Sequence, residues 1–176
     1  MFNKIFNKNK AIKKLSIRDT FWDDFLLLPH HEWIKENKYI IHSFQKLFAL
    51  ISDGQLEKIR HEKIYFLKAN ALYSCSISLQ DKCNIIMVFP DLQRMLQALV
   101  PDKGLAILAH ELGHILNQHY ARPIETLKSQ IEADRYVIDL GLGLELQEVL
   151  LDYPDSAECR NRLYALGQYL YPENNN

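Results

Sequence analysis

The chain has 176 residues, 48% of them hydrophobic and 24% charged, with a formal net charge of −1 at pH 7. That length and balance predict one globular domain with a sizeable core, and the near-zero charge excludes the basic footprint of a nucleic-acid-binding protein. Cys75, Cys83 and Cys159 are odd in number and share no ligand spacing, which argues against a disulfide framework and for reduced thiols in a cytoplasmic setting. No apolar run reaches the length of a bilayer span, and no cleavable signal segment is visible.

In chain order, residues 1–19 read as a basic N-terminal segment, residues 20–172 as one domain and residues 173–176 as a frayed tail. The first fourteen residues carry five lysines and no acid, which leaves −6 for the rest. Phe2, Ile5, Phe6, Ile12 and Leu15 share roughly one helical face. Residues 1–15 can therefore lie peripherally on an anionic membrane surface, or stay solvated as a mobile terminus. A first helix is expected around Phe21-Trp22 and Phe25 to Leu28, broken by Pro29. A second is expected from about Trp33 to Ile51, with Ile34, Ile41, Phe44, Leu47, Phe48 and Ile51 inward. Ser52-Asp53-Gly54 closes it with turn chemistry. Between the two, His30-His31-Glu32 reads as a surface loop, because adjacent residues do not converge on one ligand.

Strand signals follow. Lys63 to Lys68 is rich in β-formers, Leu72 to Leu79 alternates with period two, and Ile85 to Phe89 is a continuous apolar run ending at Pro90. A helix is expected from about Leu92 to Leu99. Pro101-Asp102 then caps a central helix through Leu116. Further helices are expected from Thr126 to Leu140, through Leu151 after Gly141 and Gly143, and from Ala157 to Tyr171 after Tyr153-Pro154-Asp155-Ser156. Helices, a small sheet, then helices define an α+β domain, mainly helical.

The central helix carries the chemistry. His110-Glu111-Leu112-Gly113-His114 is a His-Glu-x-x-His run inside an apolar stretch. Residues four apart share a helical face, so His110 and His114 can direct two imidazoles at one zinc ion, with Glu111 beside them to take a proton from an activated water. Leu105, Leu108, Ala109, Leu112, Ile115 and Leu116 predict burial of that helix, and buried histidines need a partner. Gly113 leaves room for a second segment to approach closely. His119, five residues past His114, falls off the ligand face.

Asn70-Ala71-Leu72, Ile85 to Leu92, and Leu108-Ala109-His110-Glu111-Leu112-Gly113-His114 together resemble the zinc endopeptidases of the HtpX-like and CAAX-prenyl endopeptidase family. Glu132-Ala133-Asp134 is similar to that family's Glu-x-x-Ala-Asp motif. Tyr153-Pro154-Asp155-Ser156 with Arg160 is similar to its His-Pro-Ser…Arg motif. The likeness spans about residues 60–166. It implies a zincin-like fold, one zinc ion, and hydrolysis of peptide bonds in a peptide or protein substrate.

The resemblance also assigns roles. Asn70, Ala71 and Leu72 would form the edge strand along which an extended substrate pairs. Asp134 would accept the free N–H of a ligating histidine. The family's third ligand is a Glu four residues before that Asp, and the count from Asp134 lands on Gln130. Helical phase agrees: Gln130, Ala133, Asp134, Val137 and Gly141 share one face, whereas Glu132, Arg135, Tyr136 and Asp139 form a polar face. The third metal donor is thus either Gln130, a neutral amide, or Glu132, the better ligand by chemistry. Tyr153 stands where the family often has His. Tyr153, Tyr136 and Arg160 are candidate oxyanion donors, with Arg160 favoured by its position in the motif. Two functions follow: a small zinc endopeptidase with Glu111 as general base, or a weakened or inactive relative acting as a binding or regulatory module.

Overall fold

The computed structural model describes residues 16–69 and 83–172. The basic segment 1–15, the expected edge strand at Asn70, Ala71 and Leu72 with its continuation to Leu79, and the tail 173–176 lie outside the described residues.

Helix α1 (Ile17–Leu27) starts where Ser16 and Asp19 close a reciprocal capping box, and it stops ahead of Pro29. Pro29–His31 makes one 3-10 turn that leads into α2 (Glu32–Lys35). The single helix expected from Trp33 to Ile51 is in fact two. Asn37 is extended, and its side chain accepts from the amides of Tyr39 and Ile40 to open α3 (Lys38–Leu50). Helix α3 buries Ile40, Phe44, Leu47 and Phe48, while Ile41 is only half-buried. Ser52 begins an element rather than merely ending one. Its hydroxyl and amide both bond Gln55 Oε1, the capping box of α4 (Asp53–His61).

Strands β1 (Ile64–Lys68) and β2 (Asn84–Val88) pair in parallel, with Ile64 opposite Asn84 and Lys68 opposite Val88. The backbone groups of Phe66 point away from β2. Its amide donates to His31 Nε2 at 3.0 Å, and its carbonyl accepts from Trp33 Nε1 at 2.9 Å. Side chains therefore close the outer edge of β1.

His31, expected in a surface loop, is instead wholly buried. Its ring lies against Phe25 and Phe66, and Nδ1–H donates to the Phe25 carbonyl at 2.8 Å. Both ring nitrogens are satisfied by backbone, which is what makes burial of a polar ring tolerable. Burial pushes its pKa down to about 4. A depressed histidine contributes stability above its unfolded value near 6.5, and that contribution is lost as pH falls toward 4. Going from pH 7 to pH 5 is expected to cost about 2 kcal/mol through this group. Urea midpoints at the two pH values should converge in His31→Gln, and an unchanged pH slope in that variant would place the titration elsewhere.

Helix α5 (Pro90–Leu96) follows β2 directly, with Pro90 in its first turn. Buried Gln93 ties it to both strands through the carbonyls of Ala69 and Val88. Helix α6 (Asp102–Leu116) is the centre of the fold, packed by α3, α4, α5, α7, α8 and β2. Both of its ends are pinned with charges that suit the helix dipole. Lys46 lies 2.5 Å from Asp102 in the first turn, and Lys58 donates to the Leu116 carbonyl at the last.

Helices α7 (Thr126–Asp139), α8 (Gly143–Asp152) and α9 (Ala157–Leu170) complete the chain. Gly141, at φ +80°, ends α7 in the left-handed region, and the Ser156 side chain caps α9. At Gly113, α6 meets α7 so closely that a Cβ would come within 3.1 Å of the Ala133 backbone and of Tyr136. The architecture is α+β, mainly helical with a small parallel sheet. Among the described residues no helix is long and apolar enough to cross a membrane.

Candidate metal centre

Four elements build the site. His110 and His114 come from α6, Gln130 and Asp134 from α7, Leu146, Val149 and Leu150 from α8, and Arg162 from α9. The two imidazoles face one another edge-on, with their Nε2 atoms 3.1 Å apart. In the metal-free chain one ring can carry its hydrogen on Nε2 and donate to the lone pair of the other. The same convergence is close to the spacing, about 3.3 Å, of two nitrogen donors on a tetrahedral ion. Burial, reinforced by the neighbouring His110 and His119, pushes the pKa of His114 down to about 4, against a hydrogen bond to the Gln130 side chain that raises it. The imidazole is therefore neutral at pH 7, the form that offers a lone pair.

Each histidine has a second partner on its other nitrogen. His110 Nδ1 lies 2.8 Å from Asp134 Oδ1, off the line of a well-aligned hydrogen bond. Asp134 is buried and accepts two bonds from the Arg162 guanidinium, at 2.7 and 2.8 Å. Burial alone would raise the Asp134 pKa, but His110 and Arg162 outweigh it and hold the carboxylate below its usual range. His114 Nδ1 lies 2.7 Å from His119 Nδ1, and His119 Nε2 lies 3.2 Å from Glu132 Oε2. Arg122 also grips Glu132.

The two candidates for third donor part company here. Gln130 lines the hollow with His110, Glu111 and His114, whereas Glu132 faces His119 and Arg122. Among the described residues no three His, Cys, Asp or Glu side chains gather as a metal cage, and the groups that could donate in this hollow are two imidazoles and an amide. This set fits a divalent ion with two strong ligands and one uncharged one.

Glu111 is exposed and stands between this hollow and a second one. The second is an apolar cleft of about 600 Å³, walled by Ile85, Met87, Phe89, Leu92, Met95 and Val149 among others. Tyr153 borders both.

Two expected positions are corrected. Arg160 is exposed, pairs with Asp155 at 2.5 Å and borders neither hollow. Arg162 takes the inward position because it is three residues from buried Cys159 and four from buried Leu166, on the core face of α9. Tyr136, read as part of a polar face, is buried against Gly113, and its hydroxyl has no partner among the described residues.

Sequence reasoning missed His119 as well. Gln118 adopts φ +55° just after α6, and this left-handed residue folds the chain back so that His119 returns over His114. No local pattern announces such a residue when it is not glycine. The centre thus gathers two facing imidazoles and a side-chain amide beside an open cleft. Comparison with protein-family models, with characterised proteins and with solved structures returned no match.

Proposed function

We propose that the chain is a zinc-dependent endopeptidase with a zincin-like fold, of the HtpX-like type that its motifs resemble. The observation that carries this reading is the 3.1 Å convergence of the His110 and His114 Nε2 atoms beside an exposed Glu111. His110, His114 and Gln130 would hold the ion. Once bound, zinc supplies the Lewis acidity that makes a water nucleophilic near neutral pH.

Glu111 is the general base. Its carboxylate sits at the mouth of both hollows, takes a proton from the attacking water and returns it to the leaving amine. Tyr153 is the phenol best sited to donate to the developing oxyanion. Arg162 is committed to Asp134 and serves to orient His110 through it. The apolar cleft next to Glu111 offers room for a bulky side chain of an extended peptide.

A second reading is favoured by Gln130. A neutral amide holds zinc less tightly than a carboxylate, which favours a silent relative that binds without cutting. One set of metal-uptake measurements separates these readings. The native chain is expected to take up about one zinc equivalent and His110→Ala none. Gln130→Glu should tighten binding by about 1–3 kcal/mol, the scale of one charge-assisted contact. A gain of peptidase activity in Gln130→Glu from a silent parent would establish the weakened relative. Less than a tenth of an equivalent in the native chain under excess zinc would defeat the peptidase reading. Loss of zinc in Glu132→Ala with no effect of Gln130→Glu would make Glu132 the third ligand.

A further inference from the structure

We propose that His119 is a positioning residue for His114, and that Glu132 and Arg122 form the far end of the same relay. The inference rests on the reading of His114 as a metal donor, and it extends that reading to residues that touch no metal.

Its basis is the direction that each hydrogen must take. A His114 whose Nε2 lone pair faces His110 carries its hydrogen on Nδ1. That hydrogen faces His119 Nδ1 at 2.7 Å. Accepting there obliges His119 to carry its own hydrogen on Nε2, which faces Glu132 Oε2 at 3.2 Å. Glu132, paired with Arg122, only accepts. Every proton in the chain from His114 to Glu132 is thereby assigned: moving the His114 hydrogen to Nε2 sets two ring lone pairs against each other, and moving the His119 hydrogen to Nδ1 sets two N–H groups against each other.

The side chain of His119 is only 6% exposed, so water cannot readily substitute for either contact. The arrangement mirrors the other half of the site, where Asp134 and Arg162 face His110 Nδ1. It also gives Glu132 a place outside the metal's own ligands, as the anchor of the tautomer of His119. Orienting partners of this kind are worth about 10–100-fold in metal affinity.

The test has two arms. On the metal-free chain, long-range ¹H–¹⁵N spectra report which nitrogen of His114 carries hydrogen. A His114 Nε2–H can donate to His110 in the metal-free chain, so the native chain is expected to hold a larger share of the Nδ1–H tautomer than His119→Phe, which removes the Nδ1 acceptor. In His119→Asn the side-chain oxygen occupies the place of Nδ1, so Nδ1–H on His114 should return.

By chelator competition, His119→Phe should lower zinc affinity by about 10–100-fold. His119→Asn should recover most of that loss, and Glu132→Ala should retain zinc with a smaller loss than His119→Phe. A purely structural role for His119 would not be rescued by the smaller Asn. A His114 tautomer ratio that is the same in His119→Phe as in the native chain overturns the proposal. So does an affinity that is the same in His119→Phe as in the native chain. A native chain that binds no zinc removes the peptidase reading, while the tautomer on the metal-free chain still decides what His119 does.

Discussion

Exchanging Glu111 for Gln is expected to slow peptide hydrolysis by about 10²–10⁴-fold, the range that one general base contributes. The substitution keeps size and shape and removes only the ability to accept a proton. Glu111 is exposed and makes no hydrogen bond or ion pair among the described residues, so the fold has little to lose. His110 and His114 are untouched, so zinc uptake should match the native chain. Turnover should be followed on an extended peptide with a bulky apolar residue, alongside metal content and melting temperature. Unchanged turnover with intact metal would assign the base to another group.

Asp134→Ala is expected to have the largest effect on stability, about 3–5 kcal/mol, the cost of breaking one side of a buried ion pair. Asp134 is 3% exposed and holds both arms of Arg162, whose own side chain is only 13% exposed. Truncation leaves a guanidinium desolvated with no counter-charge. Urea unfolding measures the loss directly. Replacing Arg162 by Leu in the same chain should recover part of it, because the stranded charge disappears too. A loss below about 1 kcal/mol in Asp134→Ala would mean that water reaches Arg162 and that the pair contributes as surface pairs do.

What the sequence disclosed, and what it hid, follows the range of the forces involved. The spans of α6, α7 and α9 were legible because apolar periodicity is local; Ser156 caps α9 as a side chain, whereas the cap expected at Pro101-Asp102 makes no side-chain bond and Asp102 is already the first residue of α6. The fit of Gly113 against α7 followed from the helix that contains it. Helix α4 was hidden because Ser52-Asp53-Gly54 serves equally as a stop and as a start. Only Gln55, three residues after Ser52, distinguishes the two. The break at Asn37 had the same character, a cap concealed within an apolar pattern.

His31 was misread for a different reason. Its burial depends on two backbone groups, at Phe25 and Phe66, that are brought to it by tertiary folding. At the site, the phase of α7 separated Gln130 from Glu132 correctly in space, because both lie on one regular helix. The same reasoning applied to α9 would have preferred Arg162 to Arg160, but the motif likeness drew attention to the wrong arginine. His119 could not be reached that way, since a left-handed Gln118 carries it into place.

The seal on β1 has a consequence for how this sheet can grow. His31 and Trp33 occupy the hydrogen-bonding groups of Phe66 on the side away from β2, so no further strand can join there. In a parallel ladder alternate residues face opposite sides, and the bond from Ala69 to the Val88 carbonyl shows that Val88 faces β1. Ile85 and Met87 therefore turn their amides and carbonyls outward, along the cleft that leads to Glu111. Growth of the sheet is one-sided. Any strand that joins it, from this chain or another, must lie across β2 with its backbone running past the carboxylate of Glu111.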